Sequence, residues 1–394
     1  MADEANTRSE PPLVVKVNEA HANVSPPMVA LVIPQPLPKP RPGLIEAIIW
    51  CAIFLGTQLF SLLLISGFML AVFALQAPDP QQFLLDQLEG LRSVASKETP
   101  ASEPHPIPSE IGQALAYGML GAQIASLGLI VLVVPWRIGA DWKRQIGFRR
   151  PAGLHVLLVV LVVPGFMLLS GGIQELFQRV TGITQPAASQ ALNNLFSSFP
   201  WFLTFLAVGF GPGFVEEMWC RAFLGRGLSA RYGIVIGVAL TSSLFGLLHI
   251  DPSLVIPIAI MGAYLHFIYL ASRSIWISIL LHTLNNGIAV LASLMGVEGP
   301  LAADPHGLTG VLYFVSFSLV LFASIALWTA RARIIPIQRS EKEWKSSTVW
   351  KPEYPGISAP PLDSGARLGY AKVSPVALVG TLASFAILVY LLFS

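Results

Sequence analysis

The chain has 394 residues, of which 54% are hydrophobic and only 12% are charged, and its formal net charge is +2. Soluble domains carry about 25% charged residues, so this composition excludes an ordinary water-soluble protein, and no basic patch indicates nucleic-acid binding. Two cysteines, Cys51 and Cys220, are too few for a disulfide framework. Long apolar runs argue against a membrane β-barrel. We therefore predict an all-α, polytopic integral membrane helical bundle.

The chain begins with residues 1–43, which are rich in proline and polar side chains and are predicted to form a disordered arm. About nine apolar runs then follow, and each is predicted to be a transmembrane helix. They cover 44–75, 112–136, 154–174, 199–224, 233–250, 253–271, 275–295, 308–330 and 374–394. We expect N-terminal helices and loops at 44–153, a catalytic core at 154–297 and C-terminal helices at 298–394.

Loop charges predict the topology, since Lys and Arg collect on the cytoplasmic side of a membrane. Basic residues precede the first run and follow the second, whereas the loop after the first run is acidic. Nine helices then place the N-terminus in the cytoplasm and the C-terminus outside. Residues 331–372 are basic and proline-containing, and we predict a flexible cytoplasmic linker there. In this order His249 falls at the outer end of its helix, far from Glu216, unless the fifth helix is sunken or a boundary is shifted.

The first polar cluster follows Gly211-Pro212-Gly213, a sequence expected to break or kink a helix. Glu217 and Arg221 are four residues apart, so they share a helical face and can form an ion pair. Glu216 points roughly 100° away and lacks that counterion, which suits a general base. The simpler alternative is a salt bridge at a helix end, with Glu216 in water.

Two further clusters have the spacing of one helical turn: Phe245 with His249, and His282 with Asn286. Each could be structural, as a histidine at a helix end or as a polar pair that joins two helices. Three helices that each offer polar groups at membrane depth nevertheless favour one shared site. Cys220 and His266 are interpreted as core residues.

These residue types restrict the chemistry, because no nucleophilic serine motif, zinc-protease helix motif or nucleotide-binding loop is present. A carboxylate and a histidine together can deprotonate a water molecule. A second histidine and an asparagine amide can donate hydrogen bonds to an oxyanion. These groups suffice for amide hydrolysis.

The segments EEMWCR, FGLLH and HTLNN, in that order, resemble the CAAX protease and bacteriocin-processing family of intramembrane endopeptidases. The resemblance implies that Glu216 and His249 activate water and that His282 and Asn286 form the oxyanion hole. Glu217 and Arg221 would then orient and charge-balance the site. Eukaryotic relatives cleave isoprenylated CAAX proteins, and prokaryotic relatives are linked to bacteriocin maturation or self-immunity. The expected partners are therefore the lipid bilayer and a peptide or lipid-modified protein, cleaved near its C-terminus.

Three alternatives stay open at this stage. The family is often called a metalloprotease, and Glu216, His249 and His282 could ligate zinc, although the metal-free interpretation is favoured and no cofactor is expected. The chain could be a catalytically silent scaffold or an immunity protein with the same fold. It could also be a transporter that uses buried Glu and His as a proton relay.

Overall fold

The computed structural model describes residues 40–95, 108–183, 199–295, 307–337, 350–352 and 355–393. Residues 1–39, which make up most of the predicted disordered arm, lie outside this set. The described part of the chain is nearly all α-helical, as the composition predicts. A single two-stranded sheet is the only β structure among these residues.

Eleven helices, numbered here in chain order, make up most of the described residues. The first five are α1 Leu44–Gln76, α2 Pro80–Ala95, α3 Ser109–Ile138, α4 Trp142–Gln145 and α5 Gly153–Thr181. A continuous helical run, here α6, combines Trp201–Thr204, Phe205–Phe210, Gly211–Glu217, Met218–Gly225 and Arg226–Tyr232. The remaining helices are α7 Ile234–Leu247, α8 Val255–Ser272, α9 Ile275–Leu294, α10 Thr309–Thr329 and α11 Pro375–Phe393.

Seven of the described helices are long and apolar enough to cross a membrane, namely α1, α3, α5, α8, α9, α10 and α11. The protein is therefore a multi-pass membrane protein, but the expected count of nine is not confirmed. The predicted fifth helix is α7, whose 14 residues reach only about 21 Å, against about 30 Å of hydrocarbon. The predicted fourth helix is α6, which contains charged residues and is interrupted by turns that are not α-helical.

The expected break at Gly211-Pro212-Gly213 takes the form of altered helical turns. Phe205–Phe210 and Met218–Gly225 are π-helical, and Gly211–Glu217 between them is α-helical. Proline cannot donate a main-chain hydrogen bond and its ring displaces the preceding turn, so a wider turn keeps the helix continuous. The π-helical turns lie on both sides of the Glu216-Glu217 pair.

Close packing holds α6 between its neighbours. Trp219 and Cys220 are fully buried, and the Trp219 ring stacks on Phe54 of α1 with 5.0 Å between centroids. On the opposite side, a Cβ atom on Gly213 would lie 2.4 Å from Thr283 Oγ1 of α9. Only glycine at this position allows the two helices to approach so closely.

The sheet pairs β1 Ala332–Pro336 with β2 Ala366–Tyr370 in antiparallel register, from Ala332 opposite Tyr370 to Pro336 opposite Ala366. Residues 357–359, here called the strap, lie just before β2. Their carbonyl oxygens accept hydrogen bonds from Arg149 at 3.2 Å, Arg273 at 3.1 Å and Arg144 at 2.9 Å. Within the described part of 331–372, the chain therefore forms two paired strands and a strap whose main chain binds three arginines from other segments.

Burial lowers the pKa of Arg149 to about 10 and also lowers the pKa of Arg273. At about 10, the pKa of Arg149 remains well above neutral pH, so this side chain stays charged where it holds the strap.

The basic loops meet at this same end of the bundle. Arg137 forms an ion pair with Glu46 at the start of α1, and Arg226 donates to the carbonyl of Arg41 at 3.2 Å. The segment before α1, the loop after α3 and the end of α6 therefore lie together, as the charge pattern of the loops requires.

Candidate active site

A buried ion pair lies at the base of the site. Arg221 Nη1 donates to Glu217 Oε1 at 2.7 Å, and His282 Nδ1 donates to the same oxygen at 2.9 Å. The side chains of Glu217 and Arg221 are only 0% and 1% exposed. Arg221 Nη2 also donates to the carbonyl of Gly262 in α8, at 3.0 Å. One carboxylate thus joins α6 to α9, and its counterion joins α6 to α8.

Phe245 of α7 contacts Arg221 and the two histidines of the site. The Arg221 guanidinium carbon is 4.2 Å from the centroid of the Phe245 ring, a cation–π contact. The same ring makes edge contacts with His249 at 5.1 Å and His282 at 6.0 Å between centroids. The phenylalanine of the second motif therefore helps to fix the positions of Arg221 and of both histidine rings.

Glu216 points away from this ion pair, as its sequence position requires. Its Oε2 atom is buried and has no hydrogen-bond partner within the described part of the chain. The nearest basic group is His282 Nε2, at 4.0 Å from Oε2. A buried carboxylate oxygen without a partner is unusual and indicates a position that a ligand or water fills.

A cavity of about 420 Å³ brings the sequence-predicted residues together. Glu216, His249, His282 and Asn286 all line it, whereas Glu217 and Arg221 lie behind its wall. Because α7 is short, its end reaches this cavity. The depth conflict in the nine-helix topology therefore does not arise in the structure.

His249 follows the last turn of α7, where the chain turns sharply. Its Nδ1 lies 3.0 Å from the carbonyl oxygen of Phe245. A carbonyl only accepts hydrogen bonds, so the proton lies on Nδ1 and the Nε2 of a neutral ring keeps its lone pair. Ile250 then has a φ of 62°, which is strained for a β-branched residue, and such strain is found near functional sites.

Asn286 is oriented by two hydrogen bonds. Its Nδ2 donates to the carbonyl of Val208 in the first π-helical stretch at 3.2 Å, and its Oδ1 accepts from Asn285 Nδ2 at 3.1 Å. One N–H of the amide remains for the cavity. The carbonyl oxygen already accepts one hydrogen bond, so the second N–H is the donor that Asn286 can offer to the cavity.

Sequence reasoning missed the wall that α5 contributes. Gln174, Ser170 and Gly171 line the same cavity, as do three methionines from different helices: Met119, Met167 and Met261. The available signal was two polar residues four positions apart in an apolar run, Ser170 and Gln174, the same spacing that marked the motifs. Cys220 and His266 are buried and do not line the cavity, in agreement with their interpretation as core residues.

The alternative zinc-ligand set is not assembled. Among the described residues, no group of three or more His, Cys, Asp or Glu side chains has a geometry that could hold a metal ion. The geometry of Glu216, His249 and His282 therefore gives no support to a metal site.

Fold and site together define a class of protein: a multi-pass helical membrane protein with carboxylate, histidine and amide groups around an internal cavity. Residues 197–288 match the family model described as type II CAAX prenyl endopeptidase Rce1-like, and the resemblance inferred from the motifs is confirmed for this segment. The matched segment contains all the signature residues and excludes α1–α5, α10 and α11. No curated protein and no solved structure matched the chain.

Proposed function

We propose that this protein is an intramembrane endopeptidase that hydrolyses a peptide bond near the C-terminus of a membrane-associated protein or peptide. One observation carries the proposal: Glu216, His249, His282 and Asn286, from three different helices, line a single cavity. The match of residues 197–288 to a family of CAAX prenyl endopeptidases supports a protease within the bilayer.

Glu216 and His249 would activate the attacking water. The unpartnered Oε2 of Glu216 can accept a proton from a water in the cavity, and His249 offers the lone pair of Nε2 to hold that water. The resulting hydroxide adds to the carbonyl carbon of the substrate. When the C–N bond breaks, the proton on Glu216 passes to the leaving amine.

His282 and Asn286 would stabilise the oxyanion of the tetrahedral intermediate. The free N–H of the Asn286 amide faces the cavity as a donor. His282 donates from Nε2 only when both ring nitrogens carry hydrogen, because Nδ1 already donates to Glu217. Its ring nitrogens face two carboxylates: Nδ1 lies 2.9 Å from Glu217 Oε1, and Nε2 lies 4.0 Å from Glu216 Oε2.

Glu217 and Arg221 would act as positioning residues. Glu217 holds His282 at a fixed ring orientation, and Arg221 supplies the counterion that a fully buried carboxylate needs. Arrangements of this kind keep donors in place before the reaction and avoid reorganisation during it.

The distribution of basic loops supports an orientation in the membrane. Arg41, Arg137 and Arg226 lie at one end of the bundle together with the strap. We propose that this end and the N-terminus face the cytoplasm, since Lys and Arg favour that side. Accessibility of single cysteines in the loop after α3 to an impermeant reagent tests the assignment.

The test is cleavage of a peptide library by protein reconstituted in lipid vesicles, with wild type and Glu216→Ala compared. Glu175→Ala is the matched control, because Glu175 is a half-exposed glutamate of α5 that does not line the cavity. We expect wild type and Glu175→Ala to give the same products and Glu216→Ala to give none, with or without a strong chelator. Equal products from Glu216→Ala would overturn the proposal in favour of a non-catalytic scaffold. Loss of cleavage in the chelator alone would overturn its metal-free form.

A further inference from the structure

The cavity has a polar group that the proposed reaction does not use. Gln174 of α5 lines it together with the four residues assigned to chemistry. Within the described part of the chain, the Gln174 amide has no hydrogen-bond partner, whereas Asn285 donates to Asn286 and Ser170 donates to the carbonyl of Met167. Among the described polar side chains that line the cavity, Gln174 thus has neither a hydrogen-bond partner nor a role in the proposed reaction.

A peptide substrate in this cavity has unpaired main-chain groups that Gln174 can hydrogen-bond. A peptide must be extended around its scissile bond, so its N–H and C=O groups there are not paired within a helix. Each polar main-chain group without a partner in an apolar setting costs several kcal/mol. The cavity wall also carries apolar side chains, Met167 and Met261 among them. A glutamine amide offers both a donor and an acceptor, as a peptide unit does.

We propose that Gln174 is a substrate-positioning residue that hydrogen-bonds one main-chain peptide unit of the extended substrate next to the scissile bond. This inference rests on the proposed endopeptidase function. It places recognition of the substrate main chain on α5, which lies outside the segment 197–288 that matches the peptidase family. The reaction groups and the positioning group thus come from different parts of the chain.

The first experiment measures kcat and KM for Gln174→Met, which keeps the side-chain volume and removes both hydrogen-bonding groups. The substrate is the library peptide that wild type cleaves fastest. Loss of a contact made equally in ground state and transition state raises KM and leaves kcat unchanged. We expect KM to rise on the order of tenfold. The matched control is Gln178→Met, the same change one turn along α5 at a residue outside the cavity, which should leave KM at the wild-type value.

The second experiment replaces each amide bond of that peptide in turn with an ester, which removes one N–H donor and weakens one carbonyl acceptor. For wild type, one ester near the cleavage site should raise KM about tenfold, as for any lost hydrogen bond of this kind. For Gln174→Met, the same ester should raise KM no further. A structural defect would not show this position-specific loss of coupling.

A binding measurement separates this inference from the proposed function. The labelled peptide is titrated against Glu216→Ala and Glu216→Ala/Gln174→Met, neither of which is expected to cleave it. Weaker binding on the order of tenfold by the double variant supports the inference. Equal binding overturns it, as does an equal KM change in Gln178→Met, while the peptidase proposal stands. If Glu216→Ala still cleaves the peptide, the peptidase proposal itself fails.

Discussion

Two glutamate–arginine pairs in this protein have the same spacing and opposite surroundings. Glu217–Arg221 in α6 and Glu175–Arg179 in α5 are both ion pairs four residues apart. The side chains of the first pair are 0% and 1% exposed, and those of the second are 44% and 74% exposed. The buried pair also binds His282 and the carbonyl of Gly262. Among the described residues, the exposed pair receives only the hydroxyl of Tyr313, at 3.3 Å. A spacing of four residues therefore does not distinguish a buried ion pair of the site from an exposed pair on the surface.

The same contrast holds for whole helices. In α8 and in α9, 44% of an 18-residue apolar stretch of the helix is buried within the protein. In α1 the corresponding share is 11%. The residues assigned to the reaction come from α6, the end of α7 and α9, with α8 contributing a carbonyl and α5 and α8 contributing parts of the cavity wall. The fully buried ion pair thus lies where several helices surround it, because a charge facing lipid is expensive.

The largest expected effect is on catalysis. Glu216→Gln keeps the shape of the side chain but removes its charge, so kcat should fall by about 10²- to 10⁴-fold. The thermal unfolding temperature should change little, because Glu216 Oε2 has no hydrogen-bond partner among the described residues. Glu175→Gln should keep full activity in the same peptide-cleavage assay. A Glu216→Gln variant with near wild-type kcat would contradict the general-base role.

Arg221→Ala should give the largest loss of stability. The change leaves the buried Glu217 without its counterion, and removal of one partner of such a pair costs about 3–5 kcal/mol. Arg179→Ala removes the exposed partner of the other pair and should cost about 0–1 kcal/mol. Unfolding in detergent micelles measures both. If both variants lost the same free energy of unfolding, burial would not explain how much each ion pair contributes to stability.

Asn286→Ala should lower kcat by about 10²- to 10³-fold, the effect of removing one oxyanion donor. Asn285→Ala should have a smaller effect, because Asn285 acts only by orienting Asn286. Steady-state kinetics on one peptide distinguishes the two. A change confined to KM for Asn286→Ala would assign that residue to substrate binding.

The smallest expected effect on stability comes from two glycine substitutions, one in α6 beside the site and one in α1. A Cβ on Gly213 would meet Thr283 of α9, so Gly213→Ala should force α6 and α9 apart and cost about 1–3 kcal/mol. A Cβ added to Gly56 of α1 would have no neighbouring atom within 4 Å among the described residues, and Gly56→Ala should change stability by less than about 1 kcal/mol. Thermal unfolding of the two variants is the measurement. A larger loss in Gly56→Ala would contradict the assignment of close packing to the site region.

The sequence by itself determined the membrane class, the helical fold and the resemblance of residues 197–288 to the endopeptidase family. It also indicated which residues share a helical face, such as Glu217 with Arg221, because neighbours along a helix follow from its fixed geometry of 3.6 residues per turn.

Only the tertiary structure decided how the helices meet. It placed Glu217 against His282, 65 residues away, and placed Gln174 of α5 in the same cavity. It made α7 too short to span the bilayer and fixed the strap with arginines from distant parts of the chain. Hydropathy could not supply these results, because lipid-facing and protein-facing positions of a membrane helix are equally apolar. Contacts between distant helices depend on crossing positions that no local sequence pattern specifies.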